Sequence, residues 1–499
     1  MSSPLKAESI PTKSLLIDGQ LVAAGSGKTF QSLSPADQTP LANIPHASLE
    51  DAETAVQAAR SSFNLGSWRN SDGAMRAKIL NKIADLIEAN LEEFAQLEAA
   101  DQGKPVGFAR LLEIPAVVDC FRYFAGWTDR ITGQTIPVPM SGLDFTLREP
   151  VGVCVGLAPN NYPLALAAFK VAPALAAGNS FILKPSPSTP LTALRLGEIC
   201  LEAGLPDGVL NVLTEPTNEV AAYLLEHPEV DLVSLTGGTE TGKAVMRGAA
   251  STLKHVSLEL GGKSPMIVFP DVDLDLAVTG AMLGVFYNSG QTCTASTRIF
   301  VHESIHDEFV ERFAARASAV KVGHPLDEAT QNGPVVTRQQ LEKVKHYIGL
   351  GDQEGATRVC GGEFPQDPGL SAEGNYISPT IFSNVSNSMK IARDEIFGPV
   401  ATVLKFSDEY EVLDQANDSP YGLAASIWTN DIKRALNFAK NVQAGQVWIN
   451  NHNAFFPHTP FGGYKKSGIG REGGYDVLLH YTQVKNVYVE LGDIIMSPF

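Results

Sequence analysis

Three residues of this 499-residue chain stand where an apolar run meets a small polar loop and carry groups that could do chemistry together. Cys293 lies in VFYNSGQTCTASTR, between a helical stretch and a strand-like one. Its neighbours Ser289, Gly290, Gln291, Thr292 and Thr294 offer backbone donors and little bulk, which a thiolate nucleophile needs. The competing explanation is a buried structural thiol, which suits Cys154 and Cys200 inside apolar runs. Glu259 ends the apolar part of HVSLELGG, just before Gly261 and Gly262. A carboxylate there is costly to bury unless paired or working, and partial desolvation gives it the raised pKa of a general base; a loop cap is the alternative. Asn161, in LAPNNYPLALAAFK, could aim an amide donor at a developing oxyanion or simply cap the helix that follows.

A fourth stretch, LTGGTETGKA, has the spacing of a phosphate-binding P-loop from Gly237 to Lys243. The next position must carry the hydroxyl that ligates magnesium, and here it is Ala244. The stretch is therefore either a different nucleotide loop or a glycine-rich turn. GIGREG (Gly468, Gly470, Gly473) satisfies GxGxxG but follows KKS, where a dinucleotide fingerprint requires a strand, and is discounted.

Positioning these groups falls to alternating elements. Between 151 and 262 the strand-like runs VGVCVGLAP, SFILKP, GVLNVLT, VDLVSLTGG and HVSLELGG alternate with helical ones. Five strands with four crossovers imply a parallel, doubly wound, Rossmann-like sheet, with LTGGTETGKA at the carboxyl end of its fourth strand, where such sheets bind ligands. A second α/β series follows, with TRIFV, YISPTIF, ATVLKF, ASIWT and GQVWIN as strands. Apolar residues at helical spacing from 77 to 99 predict one or two amphipathic helices. The stretch 131–150 and the tail after 474 show strand-like alternation, as in TQVKNVYVEL, and predict a small β element able to pair with another subunit through an exposed edge.

Composition narrows the function. An apolar fraction of 44% with 19% charged residues is globular, and a formal charge of −17 without a long acidic block disfavours nucleic acid or an anionic membrane as partner. No apolar stretch is long enough to span a bilayer, and the N-terminal residues lack signal- and transit-peptide patterns, so a soluble, cytoplasmic protein is expected. Five scattered cysteines (Cys120, Cys154, Cys200, Cys293, Cys360) and histidines without ligand spacing predict neither a disulfide framework nor a metal site.

Together the motifs resemble the aldehyde dehydrogenase superfamily, in its order and along nearly the whole chain. Besides LELGGKSP and NSGQTCTAS they include NSFILKPSPSTPLTA, SLTGGTETGK, EIFGPV (395–400), SPYGLAASIWT, GQVWINNHN and PFGGYKKSGIGRE (460–472). The presence of Glu259 resembles the hydrolytic branch, since CoA-acylating relatives lack that carboxylate. The resemblance implies oxidation of an aldehyde to the acid with NAD, NADP being the alternative cofactor, through a thiohemiacetal and thioester on Cys293. It implies that Glu259 activates the deacylating water, that Asn161 and the backbone N–H of Cys293 form the oxyanion hole, and that Lys170 and Glu472 support or relay protons. It assigns Pro159, Lys184, Ser186, Gly237, Gly238, Thr241, Glu395 and Phe397 to the cofactor, with the pyrophosphate held by backbone N–H groups and no metal. Tyr162, Leu166, Phe169, Tyr287, Phe455 and Phe461 would line the aldehyde tunnel, with Asn453 and His458 nearby. That lining is largely aromatic, which points to an uncharged aliphatic or aromatic substrate.

The resemblance also divides the chain into a dinucleotide-binding domain (1–130 and 151–262), a catalytic domain (263–474) and an oligomerisation element (131–150 and 475–499), and implies a homodimer or homotetramer. Three positions depart from the family pattern. Asn160 replaces a frequent Trp, Pro187 replaces the Glu that favours NAD in many relatives, and Gly238 replaces a frequent Ser. Two rival functions remain on sequence alone: a cysteine hydrolase without redox chemistry, and a non-catalytic protein on the same scaffold.

Overall fold

A computed structural model describes residues 10–139 and 141–492; residues 1–9 of the expected cofactor domain and 493–499 of the expected β element lie outside the described residues. The five runs between 151 and 262 form parallel strands Val153–Leu157, Ser180–Lys184, Leu210–Val212, Leu232–Thr236 and His255–Glu259. The first, second and fourth are buried along their whole length, as continuous apolar runs covered by helices on both faces should be. Their order in space is third, second, first, fourth, fifth, so the direction of winding reverses between the first strand and the fourth. Ligands of open α/β sheets bind in the crevice at the carboxyl ends beside such a reversal.

This sheet has eight strands, because three short ones extend it. Leu15–Ile17 and Gln20–Val22 form an antiparallel hairpin on one edge. Its turn is Asp18–Gly19, both left-handed (φ 50° and 71°), the sequence signature of a tight hairpin that the helical reading of the N-terminal third passed over. On the other edge Gly468–Ile469 pairs antiparallel with Leu258–Glu259. The discounted GIGREG is thus an edge strand that pins the end of the strand carrying Glu259.

The second sheet has seven strands, six of them parallel. Arg298–His302, Thr380–Ser383, Val400–Phe406, Ala424–Trp428 and Gln446–Ile449 correspond to the five expected runs. Pro265–Val268 and Thr357–Cys360 were not foreseen. The apolar spacing at 77–99 resolves into two helices, Gly73–Ala89 and Leu91–Gln102. Asp72 caps the first by accepting the N–H of Met75, and Asn90 separates them.

The stretches 131–150 and 475–492 meet in a three-stranded antiparallel sheet, with Gly142–Pro150 between Thr482–Glu490 and Thr135–Ile136. Leu143, Leu147, Val484 and Val489 stay exposed on it. No helix among the described residues is long and apolar enough to cross a membrane.

Phe181, on the second strand of the parallel sheet, is fully buried, and its ring occupies the space a side chain at Gly156 would need. Phe181→Ala should cost about 3–5 kcal/mol through the cavity it leaves, read as a lower urea midpoint.

Candidate active site

Parallel strands end on one edge, so residues far apart in sequence arrive together. The first strand runs out into Pro159, Asn160 and Asn161; Lys184 is the last residue of the second; the fourth leads into Gly237 and Gly238; and Glu259 is the last residue of the fifth. The loop bearing Cys293 meets this edge from the second sheet's side, after the helix Leu274–Phe286.

That loop takes an unusual path. Asn288, Ser289 and Gly290 are all left-handed (φ 51°, 54° and 73°), a conformation that costs non-glycine residues energy and must be held from outside. Asn288 donates its amide to the Asn161 carbonyl at 2.9 Å, Ser289 donates to the Gly333 carbonyl at 2.8 Å, and the Gln291 side chain accepts the N–H of Val336 at 2.8 Å. Past Cys293, Thr294 donates its hydroxyl to the side-chain carbonyl of Asn453 at 2.7 Å, and a ring nitrogen of His452 lies 2.9 Å from the Thr294 carbonyl. Burial pulls His452 down to about 4, so the ring is neutral. Two glycines make room: a Cβ at Gly290 would lie 2.1 Å from the Gly398 carbonyl, and one at Gly262 would lie 2.6 Å from the carbonyl of Cys293 itself.

Cys293 is half-buried, whereas Cys120, Cys154 and Cys200 are fully so. Burial, together with the nearby carboxyls of Glu395 and Glu259, pushes its thiol up to about 12, while the backbone N–H groups of Thr294 and Cys293 pull the other way. The Asn161 amide donates to the Gln291 carbonyl at 2.9 Å, which fixes it beside this loop and leaves its second hydrogen for another acceptor. Glu259 is 2% exposed, and neither carboxyl oxygen has a hydrogen-bond partner. Burial first, then the charge of Glu472, hold it well above the usual carboxylate range. Its Oε1 rests where a side chain at Gly462 would be, on the side of Lys170 and Glu472. Those two form a buried ion pair, and Lys170 also donates to Ser234 at 3.0 Å.

The glycine stretch is not a P-loop. Lys243 pairs with Glu240 at 2.6 Å in solvent, Gly242 lets the helix Thr239–Ala250 approach Leu260, and Thr241 is exposed on its first turn. Gly238 begins that helix without a side-chain cap, faces open space, and lies near Thr236, whose buried hydroxyl has no partner. The N–H of Gly237 is taken by the Glu259 carbonyl at 2.9 Å, so it is the first-turn N–H groups from Gly238 onward, with an open approach and an orphaned hydroxyl at the switch point, that fit a dinucleotide's pyrophosphate. Lys184, lowered by burial, lies 3.6 Å from Glu215, with Ser186 partly exposed just beyond it. Glu395 reaches the di-glycine turn, accepting the Gly262 N–H at 3.1 Å, and burial raises its carboxyl.

Of the expected tunnel residues, Phe169, Phe455 and Phe461 form one chain of rings with centroids 5.1 and 5.2 Å apart. Tyr162 and Tyr287 form a second pair at 6.2 Å, and Leu166 lies one helical turn beyond Tyr162, half-buried. His458 is apart from both, exposed between Tyr123 and Phe456. Three positioning residues escaped the sequence reading. Gln340 donates to the carbonyls of Ile396 and Phe397 at 2.8 and 2.7 Å and so clamps Phe397, itself left-handed at φ 62°. Lys343, one turn along the same helix, is charge-coupled to Glu395. His452 was overlooked because nothing in NNHN distinguishes a buried hinge from a surface loop.

A doubly wound sheet with an uncapped helix at its switch point, facing a cysteine loop on a second α/β sheet, is the architecture of a dinucleotide-dependent oxidoreductase. The sequence profile of the aldehyde dehydrogenase family matches residues 21–487. Human retinal dehydrogenase 2 is 44% identical over 493 residues, 98% of this chain and 94% of that protein. The mitochondrial aldehyde dehydrogenase of Leishmania tarentolae is 46% identical over 475 residues, 95% of this chain and 94% of that one. The NAD+ complex of aldehyde dehydrogenase from Bacillus cereus superposes with a TM-score of 0.94 at 44% identity, covering 96% of this chain and 97% of that one. The chain belongs to the aldehyde dehydrogenase family.

A thiol held this high is almost wholly protonated at neutral pH, so its thiolate fraction climbs with pH. Alkylation of Cys293 by iodoacetamide, without cofactor, should accelerate about tenfold per pH unit from 7 to 9. A plateau below pH 8 would contradict the burial argument.

Proposed function

We propose that Cys293 is the nucleophile and Glu259 the general base in the NAD-dependent oxidation of an aldehyde to its carboxylic acid. The observation that carries this reading is the packing of the Cys293 loop against the end of the Glu259 strand: the Cys293 carbonyl fills the space beside Gly262, both oxygens of the buried Glu259 carboxyl are left without a partner, and the backbone N–H donors of Thr294 and Cys293 lie near the sulfur. The donors stabilise a thiolate as it forms, and the carboxyl is the acceptor for its proton. Sulfur then bonds the aldehyde carbon, and the former carbonyl oxygen takes the charge, met by the spare amide hydrogen of Asn161 and the Cys293 N–H. When bound, NAD supplies the hydride acceptor. Gly238 and Thr241 at the helix start would hold its pyrophosphate, with Gly237 shaping the turn, Lys184, Ser186 and Pro159 its adenosine side, and Glu395 and Phe397 its nicotinamide side. Lys343 and Gln340 keep the last two in place.

Loss of hydride leaves a thioester on Cys293. Glu259, its pKa raised toward the working range, removes a proton from water as that water attacks the thioester carbon, and the acid departs as the thiolate is restored. The Lys170–Glu472 pair drains the proton from Glu259 between the two half-reactions, since Glu259 rests on its side of the site. The two aromatic groups support an uncharged aliphatic or aromatic aldehyde as substrate. Residues 1–130 and 151–262 are assigned to cofactor binding, 263–474 to catalysis, and 131–150 with 475–499 to assembly of a homodimer or homotetramer. The exposed apolar residues of the small sheet support that assembly.

Cys293→Ala should abolish NADH formation from every aldehyde tried; retained turnover would remove the nucleophile from this scheme. Glu259→Gln should give one rapid equivalent of NADH per site followed by a steady rate lower by about 100-fold or more, because deacylation loses its base. An undiminished steady rate would place the base elsewhere.

A further inference from the structure

Behind the tunnel wall lies a group of buried charges that the scheme above does not use. Lys104 is 3% exposed and its ammonium donates to Glu98 at 3.0 Å and to Glu113, themselves 0% and 5% exposed. The second oxygens of both glutamates have no partner. An ion group in such surroundings is expensive, and two carboxylates around one ammonium do not balance unless one is protonated. Burial and the charge of Glu98 push Glu113 up to about 8, which supplies that proton near neutrality. Replacing such a group by apolar residues is often neutral or stabilising, so stability is a weak explanation for it.

The surroundings suggest a better one. Glu113 reaches inward because the chain from Ala109 to Glu113 is a π-helical bulge, a feature that occurs often at functional sites, and the same bulge turns Leu111 and Leu112 out to solvent. The ammonium of Lys104 lies 4.6 Å from the centre of the Tyr162 ring, within cation–π range. The Tyr162 hydroxyl is 2.8 Å from the Thr292 hydroxyl, and Thr292 precedes the nucleophile. A second path runs through the backbone, since the Gly103 carbonyl sits where a side chain at Gly333 would be and the Gly333 carbonyl accepts the Ser289 hydroxyl.

Resting on the assignment of Cys293 as nucleophile, we propose that Lys104, locked between Glu98 and Glu113, is a positioning residue that holds the Tyr162 ring and, through its hydroxyl, the Thr292–Cys293 backbone. The tunnel wall and the nucleophile are then set by one buried cation, which acts on the aldehyde step and not on cofactor binding.

A double-mutant cycle on the full-length enzyme tests this, with benzaldehyde as probe and protein-fluorescence quenching by NAD as control. Lys104→Met should lower kcat/KM for benzaldehyde at least fivefold while changing the Kd for NAD less than twofold. Tyr162→Phe, which keeps the ring and loses the hydroxyl, should lower it at least threefold. The double variant should be within twofold of Lys104→Met, because both changes cut one connection. An effect of either single change below twofold, a double loss equal to the product of the two, or a weakened NAD Kd that accounts for the loss overturns the proposal. Should Lys104→Met fail to fold with two carboxylates left unpaired, the same cycle is run with Lys104→Met/Glu113→Gln against Glu113→Gln. If the unaltered enzyme forms no NADH from any aldehyde, it is the nucleophile assignment that fails.

Discussion

The left-handed passage from Asn288 to Gly290 is the constraint on which the site depends. Each non-glycine residue in that conformation costs on the order of 1–3 kcal/mol, so the loop keeps its path only while other parts of the molecule hold it. The anchors come from three places: the end of the first parallel strand at Asn161, the Gly333–Val336 segment, and the loop after the last strand of the second sheet at His452 and Asn453. None of these is local. The position of the sulfur is therefore set by tertiary contacts, and both α/β sheets must be in place before it is fixed.

Glycine enters where atoms must come closer than a side chain allows. Gly262 admits the Cys293 carbonyl, Gly290 admits the Gly398 carbonyl, and Gly261 admits the carboxyl of Glu395. These three approaches draw the di-glycine turn, the Cys293 loop and the 395–398 segment into one volume, so the proposed nucleophile and the proposed ribose anchor share a common wall. The glycines after Glu259 thus serve the geometry of the site more than the flexibility of a turn.

Electrostatics follow from that crowding. Cys293, Glu259 and Glu395 are all pushed upward, chiefly by burial, because any one ionised group raises the cost of the next. The reaction as proposed moves a single negative charge from sulfur to oxygen to carboxylate, and such a site favours having only one at a time. Lys170 with Glu472, and Lys343 opposite Glu395, supply the compensating ions at the margin.

The sequence by itself determined the parallel sheet, because strands buried on both faces must be written as continuous apolar runs, and it marked Cys293, Glu259 and Asn161, because polar groups at the ends of such runs are exceptional. It also exposed the false P-loop, since the absence of a hydroxyl at Ala244 is a local fact. What it left unread were elements too short to show a period, such as the two-residue Gly468–Ile469 edge strand, and residues whose partners lie on other elements: Gln340, Lys343, His452 and the Lys104 group. A glutamine on a helix reads the same whether it faces solvent or clamps a strained backbone. Only the tertiary structure decided which, because hydrogen bonds and desolvation act between neighbours in space, and the chain order does not record who those neighbours are.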